Sequence, residues 1–72
     1  MITNSDVRTT VAANVLQLMI KQKITQAELA RRSGESRMQI SRLVSGRHNP
    51  SAGVIMRVAT ALGADPAKVL GY

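Results

Sequence analysis

The chain has 72 residues, enough for one small domain, and ten Lys and Arg against four Asp and Glu give it a formal charge of +6, which favours a polyanionic partner. It has no cysteine and a single histidine, His48, which excludes a disulfide framework, a thiolate metal site and a zinc centre built from histidines. No apolar run approaches the roughly 20 residues of a membrane span, and MITNSDVRTT lacks the basic-then-apolar order of a signal peptide, so a soluble, unexported, cytoplasmic protein is expected.

In chain order, every predicted element is helical. Residues 6–22 carry Val7, Val11, Val15 and Leu18 at helical spacing, with Ser5 as the expected cap and Asp6 suited to the positive end. The stretch TQAELARRSGESRMQISRLVSG, residues 25–46, then holds two helix starts in quick succession. Thr25 with Glu28, and Ser36 with Gln39, fit the capping box: a hydroxyl takes the third backbone N–H while the Glu or Gln side chain reaches back. The second helix is expected to open at Thr25, end near Ser33 and exit at Gly34. The third opens at Ser36 and runs to Ser45, with Gly46 as its exit; glycine readily takes the left-handed conformation such exits use. In RHNPSAG, Pro50 breaks the chain and Ser51 caps a fourth helix, whose one face is filled by Val54, Ile55, Val58, Ala59 and Leu62 and which Gly63 ends. Asp65 followed by Pro66 predicts a last short helix over 66–70. One all-α domain over residues 1–72 is the result.

At about 100° per residue, Ile40 placed inward brings Leu43, Val44 and Ser36 to the same side of the third helix and sends Met38, Ser41, Arg42 and Ser45 outward, flanked by Arg37 and Gln39. So short a helix is marginal alone in water, so its neighbours must grip it by Ile40 and Leu43, presenting the outer face rigidly. That face offers guanidiniums, an amide, hydroxyls and a thioether, which can read donor, acceptor and methyl patterns in the DNA major groove; the groove is about 12 Å wide and a helix about 10–12 Å across. Charge agrees: Arg31, Arg32, Arg37, Arg42 and Arg47 crowd residues 31–47, where Glu35 is the only acid. Arg37 and Arg42 are candidate guanine readers and Gln39 joins the base-reading set. Met38 is either ordinary surface or packs on a thymine methyl. Arg47, in a loop with His48 and Asn49, suits phosphate contact, and Ser41 is assigned to the DNA backbone too. Arg31 and Arg32 are expected to be partly solvated, adding field. His48 has no second ligand or nucleophile at compatible spacing, and no paired carboxylates can be assembled; no enzyme, metal, cofactor or small-molecule substrate is expected.

TQAELA, SG, ESRMQISRLVSG, NPS and ALG together resemble the Cro and lambda-repressor-like (XRE) helix-turn-helix domains over residues 11–64, with small Ala30, turn Gly34, inward Ile40 and Leu43, and exit Gly46 in register. The resemblance implies a compact five-helix domain whose second and third helices form the helix-turn-helix. It further implies a sequence-specific double-stranded DNA-binding transcription regulator of phage, plasmid or bacterial kind, a repressor acting as a homodimer on a palindromic operator. Carried over residue by residue, Gln26 touches a phosphate, Arg37, Met38 and Arg42 meet base edges, and Ser36, Arg47, His48 and Asn49 sit beside the DNA backbone. The chain departs from the family where Met19 and Val44 replace an Arg and a Glu that pair in many members. Exchanging both is coherent, because desolvating two charges costs about as much as their attraction returns. Glu35 stands where an apolar residue is common, and is expected to point aside or to support the positive end of the third helix.

Leu16, Ile20 and Met56 lie off the main stripes, and Val69, Leu70 and Tyr72 crowd the chain's end. Either the terminal segment folds back over this surface or it forms a dimer contact. The dimer is favoured, with the last helix as interface and half-sites about one helical turn of DNA apart. The alternative function is an antitoxin-like protein-interaction module that also binds DNA. A nonspecific RNA binder lacks a stacking platform, since Tyr72 is the only aromatic residue.

Overall fold

The computed structural model describes residues 4–72, with side chains from Val7 onward. Five helices follow one another: α1 (Asn4–Gln22), α2 (Gln26–Ser33), α3 (Arg37–Ser45), α4 (Ala52–Ala61) and α5 (Pro66–Val69), with no strand among the described residues. No described helix is long and apolar enough to cross a membrane. Ser5 and Asp6 lie within α1, so Ser5 is not the cap expected of it. The physical reason is that Asn, Ser and Asp suit either a cap or the first turn, so a run such as NSD does not fix the boundary.

The α2–α3 corner is built from its caps. Thr25 Oγ1 accepts the Glu28 N–H at 3.1 Å and Ser36 Oγ accepts the Gln39 N–H at 3.0 Å, while Gly34 and Gly46 end the two helices at φ 75° and 72°. Only this half of each capping box forms. The Glu28 carboxylate turns to Arg31 and Arg32, and no Gln39 side-chain bond returns to Ser36 among the described hydrogen bonds. Ser33 ties the corner instead. This buried hydroxyl donates to Ala30 O and accepts the Glu35 N–H, both at 3.3 Å.

The interior is one apolar cluster: Val11, Val15 and Met19 from α1, Leu29 and Ala30 from α2, Ile40 and Leu43 from α3, the Val54, Ile55, Val58, Ala59 and Leu62 face of α4 and its exit, and Val69. Val7, Leu18 and Val44 are partly buried against it. Met19 and Val44 thus extend the apolar packing where the family commonly places opposite charges. Helix α1 packs on α3 and α5, α2 on α3 and α4, and α4 on α5.

The terminal helix is bound inward. Asp65 caps it by accepting the Ala67 N–H at 2.9 Å, Val69 is fully buried, and Asn14 Nδ2 donates to Lys68 O at 3.2 Å and Val69 O at 2.9 Å. The segment folds back onto the domain yet leaves Leu16, Ile20 and Met56 uncovered, at 38%, 76% and 54% exposure.

Candidate nucleic-acid interface

The interface begins with what lies behind it. Ile40 and Leu43 are 0% and 3% exposed, which fixes the rotation of α3 and sends Arg37, Met38, Ser41 and Arg42 into solvent. Met38 is 65% exposed, and Gln39 sits half-buried at the edge of this face. Ser36 is exposed at the cap. Its oxygen accepts the Gln39 N–H, and its own O–H can still donate to a phosphate. Gln26 is the first residue of α2 and is half-buried.

Beyond α3, Arg47, His48 and Asn49 are all exposed. Ser45 shapes this loop: its hydroxyl donates to Arg42 O at 2.7 Å and accepts the Arg47 N–H at 3.3 Å. Arg8 Nη1 also donates to Arg47 O, at 3.3 Å, tying the loop to α1. Between helix and loop lies a cleft of about 230 Å³ lined by Gln39, Arg42, Leu43, His48, Asn49 and Pro50. The structure therefore brings together α3 and loop candidates that the sequence placed separately.

Glu28 and Glu35 are both held by arginines outside this face. Hydrogen bonds from Arg31 and then Arg32, at 2.6 and 2.8 Å, hold the Glu28 carboxyl at about 2, well below its ordinary 4.5, against the upward push of burial. The Glu28 carboxylate in turn raises Arg31 above its ordinary value, first through the hydrogen bond and then through charge attraction. Arg31 and Arg32 are thus partly neutralised within α2. Glu35 accepts from Arg57 Nε on α4 at 2.5 Å, which is the aside-pointing arrangement expected of it. Arg57 was not legible as its partner, because only the tertiary fold brings the two together. Arg37, Arg42 and Arg47 form no ion pair among the described residues, so three uncancelled guanidiniums lie on α3 and its following loop.

A helix-turn-helix family model matches residues 15–69. An uncharacterised HTH-type transcriptional regulator of Sinorhizobium fredii, y4dJ, is 38% identical over 58 residues, covering 81% of this chain and 75% of the relative. Among solved structures, a hypothetical transcription factor NHTF from Neisseria superposes with a TM-score of 0.86 at 28% identity, covering 97% of this chain and 80% of its own. The clp gene regulator ClgR from C. glutamicum superposes with a TM-score of 0.80 at 33% identity, covering 89% and 83%. With the corner, the buried anchors of α3 and its cationic outer face in place, this chain belongs to the XRE-type helix-turn-helix family of DNA-binding transcription regulators.

Proposed function

We propose that the protein is a cytoplasmic repressor that reads a palindromic operator as a two-fold pair, each copy laying α3 along the major groove. The observation that carries this reading is a short helix buried to 0% and 3% at Ile40 and Leu43 while Arg37, Met38 and Arg42 stand in solvent. Arg37 and Arg42 present planar donor forks suited to the O6 and N7 acceptors of guanine. Gln39 supplies an amide that matches adenine, and Met38 an apolar contact for a thymine methyl. Gln26, Ser36, Ser41, Arg47, His48 and Asn49 hold phosphates and so set the register of α3 without reading sequence. Repression then needs no chemistry, since occupancy of the operator excludes polymerase.

Selection of bound duplexes from a random pool tests this reading. The expected product is an inverted repeat with half-site centres about 10 base pairs, one helical turn, apart. Enrichment of no sequence over the starting pool would overturn it.

A further inference from the structure

Helix α3 packs mainly on α1 and α2, yet one ion pair ties its start to α4. Arg57 Nε donates to Glu35 Oε2 at 2.5 Å, across 22 positions of the chain. Glu35 stands directly before Ser36, the cap of α3, so the bridge ends at the amino end of that helix. The Glu35 side chain is 12% exposed and that of Arg57 54%. A bridge with so open a partner adds little to stability, so its placement calls for another account.

Arg57 is seated for this contact. A Cβ on Gly53 would stand 3.2 Å from Arg57 Nη1 and 3.5 Å from Nη2, so the guanidinium lies against the first turn of α4, where glycine leaves room for it. Glycine is otherwise a poor choice inside a helix. The groove that Arg57 lines is formed with Arg32, Ser33, Met56 and Thr60 of α2 and α4. It shares no residue with the cleft of Gln39, Arg42, His48 and Asn49 beside α3 and its loop. A carboxylate kept from water without its cation is costly, so Glu35 deprived of Arg57 would swing outward. On the reading above, the solvent at that point is where phosphate lies.

We infer that Arg57 is a positioning residue for DNA binding: it holds Glu35 against α4, so that no loose carboxylate faces phosphate at the amino end of α3. The inference rests on the placement of α3 against DNA but not on base reading, because repulsion by phosphate acts on every sequence alike. Equilibrium binding to one duplex of arbitrary sequence at low salt tests it, with Arg57→Gln, Glu35→Gln and the double variant. All three are expected to keep the helical circular dichroism, since Arg57 is exposed and glutamine matches the shape of Glu35. Arg57→Gln is expected to lower affinity about tenfold while Glu35 is present, and by less than about threefold in the Glu35→Gln background. A fold that merely lacked a bridge would show no such rescue. Equal losses in both backgrounds would overturn the inference, since Arg57 would then act by its own charge, as would unchanged affinity in Arg57→Gln. A wild type that ignores every duplex would overturn the DNA reading itself, and the role of Arg57 with it.

Discussion

Three side chains show what local chemistry decides in this fold. Glu35 lies close to the start of α3, where an unpaired acid would repel phosphate, and its bond to Arg57 offsets that charge. Glu28 does likewise on α2, and its depressed ionisation gives a signed prediction. A carboxyl whose folded value lies below its unfolded one stabilises the protein fully above the ordinary range and loses that contribution as pH falls. Thermal unfolding followed between pH 4.5 and 2 should therefore show wild type losing more of its melting temperature than Glu28→Gln, which has no such proton to bind. Lys23 provides the third case. It takes φ 57° in the exit of α1, where its N–H bonds Ile20 O at 3.2 Å and the Ile24 N–H bonds Met19 O at 3.0 Å. Lys23→Gly relieves a left-handed L-residue at some cost in unfolded-chain entropy, and is expected to raise urea-unfolding stability by about 0.5–1 kcal/mol.

At the scale of elements, α3 is held by its cap at one end and its buried anchors along its length. Removing the hydroxyl in Ser36→Ala should cost about 1 kcal/mol, read from the urea midpoint. Ile40→Ala should cost about 2–5 kcal/mol, a large share of the roughly 5–15 kcal/mol that holds a typical domain together. The second and third helices were legible in the sequence because hydroxyl caps, glycine exits and apolar spacing agree there. The outward rotation of Arg37 and Arg42 followed from placing Ile40 inward. Ser33 was not legible as the corner's tie, since a serine in a polar run gives no sign of being buried. The return half of the Thr25–Glu28 capping box failed for a different reason: Arg31 and Arg32 compete for the Glu28 carboxylate more strongly than one backbone N–H does. The terminal helix was legible as a helix, but its folding back was the less favoured of two readings, because the Asn14 bonds to Lys68 and Val69 that hold it join residues 54 and 55 positions apart.

For the whole molecule, a charge of +6 favours attraction to any nucleic acid, whereas on the proposed reading the arrangement of α3 adds a preference among sequences. The two contributions separate experimentally. Arg47→Ala should weaken binding to every duplex alike and reduce the slope of log affinity against log salt by about 1. The most direct test of base reading is equilibrium binding of wild type and Arg37→Ala, at one salt concentration, to a selected duplex and to a scrambled duplex of equal length. Arg37→Ala is predicted to lose about 1–3 kcal/mol on the selected duplex and little on the scrambled one, collapsing the ratio between them. An equal loss on both duplexes would contradict the placement of Arg37 against a base edge.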